Sequence, residues 1–204
     1  MGCDIHMYVE YRVDNAWYNC DYFVPRRSTR NYDASHYVHI PIYDGRNYSL
    51  FAILANVRNY GDTEYISEPR GFPEDASKFV KDEYESWYDD AHSASYLTLK
   101  ELILFHEEKH PLKRRGMINQ EAQKQLELGI LPEFWCQGTS DPTFEWREWT
   151  EENHVLEPLI DKLKTRADEI YFIYEYMWDS CLERNRTRAL ELADDLRIVF
   201  WFDN

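Results

Sequence analysis

From Cys3 to Val13 apolar and polar residues alternate, with Cys3, Ile5, Met7 and Val9 on one face and Asp4, His6, Tyr8 and Glu10 on the other. That is the period of a half-buried β-strand. Asp14-Asn15 supplies a turn and Trp17 to Val24 continues as a second strand, so the two read as a hairpin. Pro25 to Asn31 is polar and carries Arg26, Arg27 and Arg30, the composition of an exposed loop, before Tyr37 to Tyr43 returns to a strand pattern that Asp44-Gly45 closes. The period then changes. Leu50, Phe51, Leu54, Ala55 and Val57 recur at helical spacing, which predicts a buried helix starting at Asn47 or Ser49 and ending between Asn59 and Gly61. Pro69, Gly71 and Pro73 impose an irregular loop, and a short helix is expected from Asp75 to Trp87.

Thr98 before Leu99, with Glu101 three residues on, forms a capping box that starts a helix running to His110, where Pro111 ends it. Gln120 to Leu128 is a further helix, closed by Gly129. Pro132 to Asn153 matches neither period; Trp135, Trp146 and Trp149 stand among turn residues, as in an excursion over the core. Leu156, Leu159, Ile160, Leu163, Ala167, Ile170, Ile173, Tyr174, Met177 and Trp178 mark a long amphipathic helix with Pro158 in its first turn. A helical stretch from Ala189 to Ala193 precedes Arg197 to Asp203, a strand apolar at nearly every position and therefore central, with the first strand as its expected neighbour. Strands at both ends with helices between them predict a single α+β domain with a mainly antiparallel sheet.

Charge narrows the function. The chain of 204 residues carries 38 acidic and 23 basic side chains, a net charge of −15, which argues against bulk affinity for nucleic acid or anionic membranes. Any anion site has to be a local basic pocket. Cys3, Cys20, Cys136 and Cys181 are scattered, without a C-x-x-C pair, and read as free intracellular thiols. No apolar run approaches the ~20 residues of a membrane span. His6 stands where a myristoylation signal carries Ser or Thr, so the expectation is a soluble, cytoplasmic protein. The 16 Tyr, 10 Phe and 7 Trp exceed what a small core needs, and some are expected on a surface or in a pocket.

Several motifs in one order carry a resemblance: Met1-Gly2-Cys3-Asp4-Ile5-His6, Arg46-Asn47-Tyr48 through Leu50-Phe51 to Val57-Arg58-Asn59, Pro69-Arg70-Gly71-x-Pro73-x-Asp75-x-Ser77, His92-Ser93-x-Ser95-x-Leu97-Thr98-Leu99, and Phe200-Trp201-Phe202-Asp203-Asn204. Together they resemble an uncharacterised family of phage and bacterial proteins. The resemblance implies a phage or bacterial setting, with the host cytoplasm as the location if the chain is phage-encoded, and brings no catalytic residues with it. Residues 111–153 fall outside the shared pattern and read as a family-variable insertion.

Two constellations could carry chemistry. Asp4-x-His6 with Glu10 on one strand face, completed by His92 or by His36-x-x-His39, offers the carboxylates and imidazoles of an acid–base pair or of a zinc or manganese site; Asp4, His6 and His92 are its core members. Against this, His6 could simply bond to Asp4 or to backbone. The second set is Arg46, Arg58, Arg70, His92, Ser93 and Ser95, which stand near turns and helix ends where guanidinium forks and hydroxyls can converge on a phosphate. Its structural alternative is that Arg58 caps a helix, Arg70 pairs with Glu68 or Asp75, and Ser95 or Thr98 caps the next helix. Tyr8, Tyr48, Trp87 and Tyr96 are candidates to stack on a nucleobase, Tyr48 foremost, with a place in an aromatic core the expected alternative for most of them. Lys113-Arg114-Arg115 reads as a solvated charge run that could extend the site. Cys3, pointed into the core by strand alternation, is set aside as a nucleophile.

The leading functional expectation is a pocket built from Arg46, Arg58, Arg70, His6, His92, Ser93 and Ser95 for a small phosphorylated ligand, a nucleotide or nucleotide-derived immune signal, in a phage anti-defence role. The first alternative is a hydrolase, metal-dependent or not, in which Asp4, His6 and His92 act on the same ligand. The second is a protein-binding inhibitor that turns the acidic, aromatic surface around Trp135 to Trp149 toward a basic host protein. A second copy of the chain is a further candidate partner. The sequence names no cofactor.

Overall fold

The computed structural model describes residues 2–25, 37–176 and 192–203. Arg26, Arg27, Arg30, His36, Cys181, Met177, Trp178 and Ala189 lie outside the described residues. The first half of the chain forms β1 (Asp4–Val13), β2 (Ala16–Asn19), β3 (Tyr22–Pro25), β4 (Tyr37–Ile40), α1 (Tyr48–Ala55), α2 (Lys78–Ser86) and β5 (His92–Thr98). The second half forms α3 (Leu99–Glu107), β6 (Leu112–Ile118), α4 (Gln120–Glu127), β7 (Glu145–Glu151), α5 (Glu157–Tyr176) and β8 (Leu196–Asp203). The result is a single α+β domain, and no helix among the described residues is long and apolar enough to cross a membrane.

Alternation makes β1, and Asp14 and Asn15, both at positive φ, make the tight turn that reverses it into β2. The expected second strand, Trp17 to Val24, is split. Asp21 turns its carboxylate inward to accept the Val9 N–H and the Asn19 amide, at 3.1 and 2.8 Å. Pairing with β1 ends there, and β3 leaves to form a separate two-stranded ribbon with β4.

The main sheet has the order β2-β1-β8-β5, with antiparallel pairing throughout. In β8 every residue from Leu196 to Phe202 is buried, as its unbroken apolar run requires of a central strand. Ile198, Phe200 and Phe202 join Cys3, Ile5, Met7 and Val9 in the larger core, against apolar faces of α1, α3 and α5. Val199 and Trp201 point the other way and pack with Tyr8, Ala94, Ala76 and Val80 of α2. The sheet is thus covered on both sides, so β1 is not half-buried: Tyr8 and Glu10, on its polar face, are buried as well. Arg197 makes this tolerable for Glu10, its cross-strand partner, by donating from Nε at 2.9 Å. Glu10 also accepts the Ser77 N–H at 2.7 Å, and α2 begins only after this contact, at Lys78.

Leu99 to Glu107 is helical behind the expected capping box, with the Thr98 hydroxyl accepting from Glu101 N and the Glu101 carboxylate accepting from Thr98 N. The excursion of residues 111–153 proves ordered: β6 and β7 pair along their whole length, and Ile118, Ala122 and Trp149 form a small apolar cluster apart from the main core. Only Leu112, at its root, belongs to the main core.

Candidate functional site

The site starts where α1 stops. Asn56 adopts left-handed backbone and its N–H returns to the Ala52 carbonyl at 2.8 Å, ending the helix earlier than its apolar spacing predicts. Arg58 and Asp62 are left-handed too, so residues 56–63 fold into a compact loop. Its centre is the Asn59 amide, which donates to Asn56 Oδ1 and the Thr63 carbonyl and accepts from Thr63 N, all within 2.9 Å. Thr63 then seats the loop on β6: its hydroxyl donates to the Lys113 carbonyl at 3.0 Å and accepts from the Lys113 N–H at 3.2 Å. Gly61 lies against that carbonyl, where a side chain has no room.

On β6, Arg114 and Gly116 share one face. Trp135 lies across it, so close to Gly116 that an added Cβ would sit 2.6 Å from the ring. Arg114 is held from both sides, donating to Ser49 Oγ of α1 and to the Glu151 carboxylate of β7. A cavity of about 350 Å³ remains between α1 with its loop and the excursion. Tyr48, Arg58 and Tyr60 line it from the body, and Arg114, Trp135 and Gln137 from the excursion. Lys113 and Arg115, which alternate to the other face of β6, border it.

The wall is rich in donors. The Tyr48 hydroxyl accepts the Cys3 N–H at 3.3 Å and the Tyr60 hydroxyl accepts from Arg58 at 3.2 Å, leaving each phenolic proton available to a ligand. The Cys3 thiol stays in the core, where burial pushes its pKa up despite the nearby Arg58. Burial and the Asp21 carboxylate push the Cys20 thiol up to about 12.

Of the residues of the two constellations read from sequence, Arg58 falls in this cleft, joined by Tyr48, whereas Asp4, His6, Arg46, Arg70, His92, Ser93 and Ser95 do not. Arg46 grips Asp4 with two hydrogen bonds, at 2.8 and 2.6 Å, and holds the Asp4 carboxyl below the usual carboxylate range. Asp203 accepts the Asp4 N–H at 3.1 Å and lies 3.3 Å from His6 Nε2, while the His6 ring packs at 3.9 Å against Trp87, tilted by 37°. Arg70 is structural: Nη2 donates to Glu101 at 2.6 Å, Nη1 to the Tyr96 carbonyl at 3.2 Å, and its N–H to the buried Ser95 hydroxyl at 3.2 Å. His92 lies 3.0 Å from Ser93 Oγ and stacks on Phe202.

Strand register keeps His6 and His92 apart. His6 is paired with Trp201 and His92 with Phe202, consecutive residues of β8 whose side chains enter opposite faces of the sheet. Asp4, His6 and His92 therefore form neither a shared acid–base pair nor a metal triad, and no cluster of three or more His, Cys, Asp or Glu suited to a metal occurs among the described residues. Lys113-Arg114-Arg115, read from sequence as a solvated run that could extend the site, lies on β6, with Arg114 drawn into the cleft and its two neighbours at the border. Tyr60 and Gln137 are not distinguishable by sequence from other loop residues, and Trp135 stands out there only as part of an acidic, aromatic surface. The signal that could have found them is Gly116, a residue with no side chain in the middle of a charged strand, which marks a close approach.

Fold and site define an α+β protein with a basic, aromatic cleft between its body and an excursion. Comparison with protein-family models, with curated proteins and with solved structures finds no match.

Proposed function

We propose that the protein binds a small phosphate-bearing ligand, a nucleotide or nucleotide-derived signal, in the cleft between α1 and β6. One observation carries this reading: in a chain with a net charge of −15, the residues lining the cleft include four cations and no carboxylate, the partners of Lys113, Arg114 and Arg115 (Glu64, Glu151 and Glu148) lying outside the lining. A site so composed, inside an acidic envelope, focuses field lines on an anion. Guanidinium and phenol groups suit phosphate oxygens. The neighbouring rings of Tyr48, Tyr60 and Trp135 suit a planar base. A cavity of about 350 Å³ is at the smaller end of the range for sites that take small molecules. In the phage setting implied by the motif resemblance, capture of a host immune signal is the role such a cleft serves.

Calorimetry against a panel of linear and cyclic nucleotides tests the reading. At least one member is expected to bind saturably, more weakly at high salt. Arg58→Ala is expected to reduce that affinity about 10- to 100-fold, the range for a hydrogen bond to a charged group. If no member binds, the reading is wrong. Ligand recovered intact after denaturation identifies capture, and recovery of product identifies the hydrolase instead.

A further inference from the structure

We infer that Gln137 determines specificity in this cleft, by accepting a hydrogen bond from an exocyclic amino group on the ligand's ring; the inference rests on the nucleotide reading above. Cys136 exchanges backbone hydrogen bonds with Met117 at 2.8 and 3.1 Å, which anchors the segment on β6, and its neighbours Trp135 and Gln137 both line the cleft. The side chain of Gln137 is oriented by the backbone: its Nε2 lies 3.0 Å from the Arg115 carbonyl, which can only accept. The amide therefore turns Oε1 away from β6.

What makes that oxygen informative is the rest of the lining. Arg58, Lys113, Arg114, Arg115 and the Trp135 indole can only donate. Ser49 Oγ, Tyr48 Oη and Tyr60 Oη already accept from Arg114, Cys3 and Arg58, and Asn59 Oδ1 from Thr63. Among the described residues, Gln137 Oε1, on an exposed side chain, is the lining side-chain acceptor without a protein partner. A phosphate has no hydrogen to give it. A ring amino group stacked beside Trp135 does, and this is the edge by which amide side chains distinguish bases.

Two pairs of probes differ by one amino group: AMP against purine riboside 5′-monophosphate, and GMP against IMP. In the unmodified protein the amino member of at least one pair is expected to bind about tenfold more tightly, the scale of one hydrogen bond. In Gln137→Leu that ratio should fall to near one through weaker binding of the amino member alone, with the other member unchanged. Loss of a merely structural role would weaken both members alike. Equal binding within both pairs, or a ratio that survives Gln137→Leu, overturns the inference while leaving the nucleotide reading intact. Failure of all four probes to bind overturns the inference, and the nucleotide reading falls with it if no member of the wider linear and cyclic panel binds either.

Discussion

Arg197 and Glu10 are 3% and 0% exposed, and each is acceptable only because of the other. Arg197 donates from Nε to Glu10 and from Nη1 to Asp75, both at 2.9 Å, and its guanidinium lies 3.9 Å over the Trp17 ring. Asp75 in turn accepts the Trp17 indole N–H at 3.0 Å. Replacing Arg197 by Met strands a buried carboxylate and is expected to cost about 3–5 kcal/mol in denaturant titrations. Adding Glu10→Met should recover much of that loss, since an apolar pair needs no partner. Gly116 is the corresponding test in the cleft. Gly116→Ala forces Trp135 off β6, with an expected loss of about 1–3 kcal/mol. It should also shift the tryptophan fluorescence and weaken nucleotide binding, because Trp135 is one wall of the site.

The elements with a strong period were the legible ones. β1 and β8 could be read because alternation and an unbroken apolar run leave few other structures, and α3 because Thr98 and Glu101 announce its start. β5, β6 and β7 were not legible as strands. Glu145-Trp146-Arg147-Glu148-Trp149 carries charge at most positions, and its pairing with β6 is supported by Arg114–Glu151 and Arg115–Glu148 pairs that exist only once the two strands meet. The junction of β5 and α3 yields a prediction about pH. Burial alone would raise the Glu101 pKa, but hydrogen bonds from Arg70 and from the Thr98 backbone outweigh it and hold the carboxyl below the usual glutamate range. A depressed folded-state pKa gives stability that is complete above the unfolded value of about 4.3 and is lost as the pH falls through the lower folded value. Glu101→Gln keeps the capping geometry and removes the charge. It should cost about 0.5–1 kcal/mol at pH 7 and flatten the acid limb of a stability-versus-pH series below pH ~4.

At the scale of the whole molecule, the cleft exists because a body and an excursion meet along one line. The body has its own core, the excursion has a small one, and the Thr63 latch on Lys113 and the Arg114 bond to Ser49 join them at the root. Arg114 and Trp149 are direct cross-strand partners, so an Asn-Gly turn in place of residues 115–148 can close the shortened ribbon. The shortened chain should still unfold cooperatively, because the main sheet and its two covering layers are untouched. Nucleotide binding should disappear with Trp135 and Gln137. Binding that persisted unchanged would move the site out of this cleft.

By itself the sequence determined the α+β class, the first and last strands as neighbours, the helix behind Thr98, and the need for any anion site to be a local basic pocket. These follow from periods and charges that act over a few residues or as a sum over the chain. Only the tertiary structure decided which basic residues meet. Register put His6 and His92 on opposite faces of the sheet, Arg46 and Arg70 were taken up by Asp4 and Glu101, and Arg58 was brought to Arg114, 56 residues away. Convergence of that kind depends on strand pairing and loop docking, which no local pattern records.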